Sequence, residues 1–253
     1  MTTFLLQRQD KQIIHDFVFA LLQSKAYYDW SKSYGSIKTR FVDGEKPVPT
    51  LSNPDGYVPV GDVEFVSRFL RRYYPEAEAS LRPLNVPECL FGYAGRKIVN
   101  VRDAADMKAF GPADKEGLNC RQLYRKSLSV IKAATNGPCD YGSAKMFVGH
   151  QVSEIVPVDS EWRVFVFHNQ IKYIANYSGD CLLFPDAKAV SAMVTKFRSE
   201  APVAYTLDVG VNTQGTFVIE CHRFFSCGLY GFNDLLALPV MLSQTWYQMK
   251  NTK

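Results

Sequence analysis

Two runs near the C-terminal end, Tyr205-Thr-Leu-Asp-Val-Gly-Val211 and Thr216-Phe-Val-Ile-Glu-Cys-His222, constrain the fold more than any other part of the chain. Both are rich in β-branched and aromatic residues, and Asn212-Thr-Gln-Gly215 supplies a turn between them, so they read as a β-hairpin. A three-residue loop, Thr213 to Gly215 with Gly215 left-handed, sets Asn212 across from Thr216. In that register Asp208 stands opposite Glu220, and His222 follows on the same face. Directly opposed residues hold their β-carbons about 5 Å apart. Two carboxylates that close repel unless something positive lies between them. A divalent cation meets the need, and oxygen ligands point to a hard one such as Mg²⁺. A solvent-facing hairpin whose acids meet no metal is the plainer alternative.

The rest of the sequence narrows the class. At 253 residues the chain holds one large domain or two small ones, with 47% hydrophobic and 21% charged residues, ordinary values for a folded protein. A net charge of +4, with basic and acidic residues interspersed, permits an anionic ligand but does not suggest a nucleic-acid groove. The six cysteines form no CxxC pair, which argues against zinc and for reduced thiols in a cytoplasmic compartment. Residues 1–10 do not read as a signal peptide, and the apolar patch Ile13 to Leu22, broken by His15 and Asp16, is too short to span a bilayer.

Along the chain, residues 11–28 carry Ile14, Phe17, Val18, Leu21 and Leu22 at helical spacing. Residues 31–60 are polar and turn-rich. A capped helix is expected from Asp62, with Val63, Val66, Phe69, Leu70 and Tyr73 inward. Arg82-Pro-Leu-Asn-Val-Pro87 reads as a linker near a subdomain boundary. Short strands with basic ends follow: Gln122 to Ser127 ends in Arg125-Lys126, Lys132 comes soon after, and Lys145 opens another strand towards His150. Lysines converging beside a Gly-bearing loop suit a polyphosphate, although each taken singly reads as a surface residue. Glu161-Trp-Arg-Val-Phe-Val-Phe167 and Gln170 to Tyr177 form a second hairpin, with Arg163 the conspicuous charge in an apolar strand. Its plain reading is a rim salt bridge with Glu161 or Asp159. Asp186 caps a helix to about 200, and a last helix starts near Asn233.

In order and spacing these features resemble the ATP-grasp superfamily, over roughly residues 57–232. More narrowly, Pro59-Val-Gly-Asp-Val-Glu-Phe-Val66, Lys145-x-Phe-x-Gly149 and Ser160-Glu-Trp-Arg163 resemble the bacterial and phage clade named for two arginines and a lysine. The resemblance implies an α/β class with α+β lobes. A pre-domain (residues 1–88) would precede an ATP-grasp domain (89–253) whose small lobe (89–150) and large lobe (151–253) hold the nucleotide between their sheets. It implies a carboxylate–amine ligase, in which ATP phosphorylates an acid and an amine displaces phosphate. The acid would be an amino acid, a peptide or a protein.

By position, the resemblance gives Lys126 the α- and β-phosphates, with Lys108 or Lys115 as an upstream partner and Lys132 and Lys145 as further charge. It gives Glu154, Ile155 and Val156 the adenine edge, Glu161 the ribose, and Arg163 the transferred phosphate or the acyl phosphate. Asp208 and Glu220 become ligands of Mg²⁺. Two departures stand out. The superfamily places Asn where His222 stands, so His222 acts through water, favours Mn²⁺, serves the amine as acid or base, or marks weakened catalysis. No well-formed phosphate loop is present beyond Asn136-Gly137 and Tyr141-Gly-Ser143. A binding protein that keeps the fold without turnover is the alternative function, and nucleic-acid binding near Arg121 to Lys132 a weaker one.

Overall fold

The computed structural model describes residues 2–32, 35–44, 46–111, 122–141 and 143–252, and its strands fall into three sheets, each drawn from one stretch of chain. In the first, β1 (Thr3–Arg8) lies between β2 (Lys38–Asp43) and β3 (Tyr57–Val60), all parallel. Parallel neighbours need crossovers; α1 (Asp16–Ser31) joins β1 to β2, and α2 (Val63–Tyr73) follows β3. Strand β1 is one that the sequence pattern does not announce. Phe4, Leu5 and Leu6 are all buried, as expected of a central parallel strand, and so give an apolar run in place of an alternation. Helix α1 starts later than expected because Gln9 and Gln12 close a tight turn with paired backbone bonds, leaving Ile13 and Ile14 exposed.

Asp62 caps α2 as predicted, its Oδ1 accepting from the Phe65 amide at 2.6 Å. Its other oxygen accepts from buried Gln7 of β1 at 2.7 Å, and its amide donates to the same side chain. One carboxylate thus closes the helix end and ties it to the sheet, a cap of about 1 kcal/mol in ordinary cases.

The second sheet runs β4-β7-β5-β6, all antiparallel: β4 (Ile98–Val101), β5 (Gln122–Ser127), β6 (Gly137–Asp140) and β7 (His150–Glu154). It covers a small core of Val101, Met107, Phe110, Leu123, Phe147 and Val152. Lys145 does not open a strand. It sits in a 3-10 turn, Ala144–Phe147, and β7 begins only after Gly149 has reversed the chain at φ 83°.

The third sheet is ordered β11-β10-β8-β9, with β8 (Ser160–Phe167), β9 (Gln170–Gly179), β10 (Ala204–Asn212) and β11 (Gly215–Arg223). Trp162, Val164 and Val166 of β8, with Tyr205, Leu207 and Val209 of β10, pack under α3 (Ala187–Phe197). On the opposite face Phe165 and Ala204 join Phe224, α1, α2 and α4 (Ala237–Lys250) in a core shared with the first sheet. By strand alternation Arg163, Asp208, Glu220 and His222 belong to this second face, beyond its apolar half. Helix α4 begins at Ala237 rather than Asn233, so Pro239 falls in its first turn, where no amide donor is required.

Residues 82–87 are no loose linker. Asn85 and Val86 are buried, Asn85 Nδ2 donates to the Ser127 carbonyl at 2.9 Å, and the Cys221 amide donates to the Asn85 carbonyl at 2.6 Å. Gln151 brackets Val86 with one bond to its amide and one to its carbonyl. This segment is a strut between the two four-stranded sheets.

Candidate active site

The predicted hairpin forms, by a different route from the one expected. Its loop has two residues, so Asn212 pairs with Gly215. A bulge at Asp208/Val209 then absorbs Ile219 as the extra residue on β11 and returns Asp208 to Glu220. The two carboxylates face each other because loop and bulge shift the register in opposite directions.

Between the two four-stranded sheets lies a cleft of about 300 Å³. Lys126 of β5, Glu154 at the end of β7, Ile155 and Val156 beyond it, Glu161 of β8 and Glu220 of β11 all line it, so these sequence candidates are brought together. Sequence reasoning missed Val86, Arg96, Tyr124, Tyr177 and Phe217, which line the same space. Arg96 reaches across from the turn before β4, its guanidinium donating to the carbonyls of Val218 at 2.8 Å and Ile219 at 2.9 Å. Burial lowers its pKa to about 10. The only sequence signal is a cation just ahead of a strand, and no periodicity reports a contact more than a hundred residues away.

One end of the cleft runs into a chain of charges. Arg163 grips Asp208 in a bidentate pair, Nε to Oδ1 at 2.7 Å and Nη2 to Oδ2 at 2.6 Å, both groups almost fully buried. This replaces the rim salt bridge with Glu161 or Asp159. Nη1 donates to the Gly228 carbonyl at 2.9 Å. Tyr230 and Tyr177, stacked on each other at 4.9 Å, lie 4.7 and 5.5 Å from the guanidinium, near enough for cation–π attraction. Tyr177 also donates to Glu161 Oε2 at 2.8 Å, which fixes that carboxylate on the cleft wall.

His222 Nε2 is 3.3 Å from both Asp208 Oδ2 and Glu220 Oε1, and Lys126 Nζ contacts Glu220 Oε2. Burial by itself would make His222 less basic, but the two carboxylates raise its pKa to about 9, so it is an imidazolium at neutral pH. Burial pushes Glu220 the other way from its neighbours, and His222 and Lys126 hold it well below the usual carboxylate range. Burial, then Asp208 and Glu161, drives the Tyr177 phenol far up, so it stays a donor.

Asp208, Glu220 and His222 offer ligand atoms all within 4.8 Å of one another. Two carboxylates suit Mg²⁺ or Mn²⁺, and His222, which would have to give up its proton to ligate, would tilt the set towards the softer of these. Lys126 occupies an oxygen that a cation would otherwise take, so the donor set fits a divalent ion with Lys126 as the group it displaces.

The remaining sequence candidates lie elsewhere. Lys132 pairs with Glu64 of α2 at 3.1 Å and lines other cavities. Lys145 and Lys108 are exposed on 3-10 turns and do not line the cleft. Lys115, Arg121 and Gly142 lie outside the described residues. Asn136 is occupied in the β5–β6 turn, where it accepts from the Ser127 amide at 2.7 Å. Cys227 is buried, and burial pushes its thiol up to about 12, which removes it as a nucleophile. No described helix is long and apolar enough to cross a membrane.

Comparison with known proteins finds the same fold elsewhere. Residues 129–239 match a family model for the ATP-grasp domain, the second family of the clade named for two arginines and a lysine. A comparison with curated proteins finds no match. Among solved structures, the ATP-grasp ligase PsnB complexed with a phosphomimetic variant of its minimal precursor, Mg and ADP aligns at a TM-score of 0.52 and 11% identity, over 97% of this chain and 98% of that one. D-cycloserine synthetase DcsG aligns at 0.51 and 12%, over 98% and 99%. Macrocyclase MdnC bound with precursor peptide MdnA from Microcystis aeruginosa MRC aligns at 0.51 and 10%, over 96% and 99%. At such identities the likeness is one of fold.

Proposed function

The chain is an ATP-grasp-fold protein, and we propose that it is an ATP-dependent carboxylate–amine ligase acting on an amino acid, peptide or protein through an acyl phosphate. The observation that carries this reading is the cleft between the two sheets, with Lys126 on one wall and the opposed Asp208–Glu220 pair at the other.

In this reading the adenine lies against Val86, Ile155, Val156 and Ile219, with the backbone at the end of β7 reading its edge and Glu161 holding the ribose. Lys126 leaves Glu220 to hold the phosphates, and Asp208 and Glu220, with His222, hold Mg²⁺ or Mn²⁺. When bound, the ion would neutralise phosphate charge and orient the terminal group. Arg163, fixed by Asp208 and the two tyrosines, sets a rigid positive end to the site, where charge on the acyl phosphate develops. Excluding water from the closed cleft protects that intermediate until the amine attacks. The precursor complexes of PsnB and MdnC support a peptide as the acid. Residues 89–150 and 151–253 would act as the two lobes, after a pre-domain of residues 1–88.

The test is a hydroxylamine trap, since an acyl phosphate in hydroxylamine gives a hydroxamate while ADP is released. With ATP, Mg²⁺ and a panel of peptides and amino acids, at least one acid should yield equal hydroxamate and ADP. A second reading rests on one observation: Arg163, Lys126 and His222 already satisfy both carboxylates. It makes the protein a nucleotide-binding module with weakened catalysis. Tight nucleotide binding with no ADP from any acid would favour it over the ligase.

A further inference from the structure

Two cavities outside the cleft share part of their walls. The inner one, about 430 Å³, is lined by His15, Asp16 and residues 225–228; the outer one, about 710 Å³, lies between α2, residues 78–82 and the loop 129–132. Both are lined by Val63 and Lys132, so they adjoin, and together they are treated as one trough. Its inner end is Gly228, whose carbonyl accepts from Arg163. Its outer part is at the surface, and its volume is in the range of ligand sites.

The charges of the outer part do not balance. Arg68, Arg71, Arg82 and Lys132 stand against Glu64 and Glu78. Glu64 is taken by Lys132 and Glu78 by Arg71. Arg68 donates to the Gly44 carbonyl, which is neutral. Among the described residues the Arg82 guanidinium has no hydrogen-bond or ion-pair partner. Two guanidinium forks are therefore left without a carboxylate, in a trough that leads to the reactive end of the cleft. Guanidinium matches a carboxylate in two parallel bonds.

We propose that this trough binds an acidic peptide segment, whose carboxylates dock on Arg68 and Arg82 while the residue that reacts reaches Gly228 and Arg163. The ligase reading is needed only for which end reacts. Two features favour a peptide over a nucleic-acid strand. Glu64 and Glu78 interrupt the basic lining, which disfavours a continuous phosphate backbone. The wall also includes Val130, half exposed, with Ile131 and Leu81, which suit apolar side chains between acids.

The test measures binding of a fluorescein-labelled tetra-aspartate peptide by anisotropy, on the full chain and on Arg82→Glu and Arg68→Gln/Arg82→Glu variants. Thermal unfolding with ATP and Mg²⁺ is followed on the same samples. Binding to the wild type, weakened at least tenfold in the double variant while the nucleotide shift is unchanged, supports the trough. Residue-dependent binding without any nucleotide shift also supports it, and removes the ligase reading alone. The trough is overturned if tetra-aspartate does not bind, if tetra-serine binds equally well, or if the variants bind as the wild type does. A single-stranded oligonucleotide that displaces the peptide and depends more strongly on Arg82 also overturns it, in favour of nucleic acid.

Discussion

The two four-stranded sheets that face each other across the cleft are held by different means. The sheet of β8–β11 is packed on both faces, by α3 on one side and by the core shared with the first sheet on the other. The sheet of β4–β7 has one small core, and Ile98 is its one buried residue that joins another. Apart from Ile98, its ties to the large sheet are polar: Asn85 and Gln151 on the strut, Arg96 on β11, and Lys126 on Glu220. Burial of apolar area resists any displacement, whereas hydrogen bonds can be exchanged one at a time for water or ligand. The small sheet is therefore the less firmly held of the two.

The largest effect comes from attacking the charged centre of the rigid sheet. Asp208→Ala leaves Arg163 buried without its partner, an effect worth about 3–5 kcal/mol. Urea unfolding should show that loss, with most of it recovered in Arg163→Met/Asp208→Leu. A single-variant loss under about 1 kcal/mol would mean the pair is not buried as described.

Next in size is a pH dependence of the metal-free protein. His222 titrates at about 9, above its ordinary 6.5, so its contribution is complete below the ordinary value and lost as the pH rises through about 9. Glu220 is shifted down, so its contribution is complete above its ordinary 4.5 and lost only as the pH falls well below that. In a chelator, stability should decline from about pH 6.5 to 9 by on the order of 2 kcal/mol. Urea midpoints of His222→Gln should lack that decline, and an equal slope in the variant would refute the assignment.

A smaller effect isolates the polar ties of the other sheet. Gln151→Ala frees the Val86 amide and carbonyl and costs about 1–3 kcal/mol, confined to the small sheet. Hydrogen exchange should quicken in β5 and β7 and stay unchanged in β8 and β10. The smallest effect is Lys132→Ala: an exposed pair with Glu64 is lost, stability changes by less than about 1 kcal/mol, and nucleotide affinity, read by calorimetry, stays the same.

Alternation makes much of the large sheet legible. Trp162, Val164 and Val166 read as one face, and Arg163 stands out as a charge on the other; α2 and α3 are equally plain from Asp62 and Asp186. The Asp208–Glu220 pairing is legible although its loop is not, because the bulge at Asp208/Val209 undoes the error. What stays hidden is long-range. Arg163 meets Asp208 only because β8 and β10 are neighbours, and strand order is not written in local pattern. Arg96, the 82–87 strut and the Lys132–Glu64 pair have the same cause. β1 is hidden for another reason: a buried parallel strand of six residues offers no period to count.

The ligase reading depends above all on the cleft taking a nucleotide together with a metal held by the hairpin carboxylates. Thermal unfolding with ATP alone, Mg²⁺ alone and both, on the wild type and on Glu220→Gln, decides that point. Ligand at 100 times its dissociation constant should add about 2.7 kcal/mol of stability. The wild type should shift only when ATP and Mg²⁺ are present together, and Glu220→Gln, compared with its own ligand-free midpoint, should not shift at all. An equal shift in both proteins would rule out the metal site, and no shift in the wild type would rule out the nucleotide site itself.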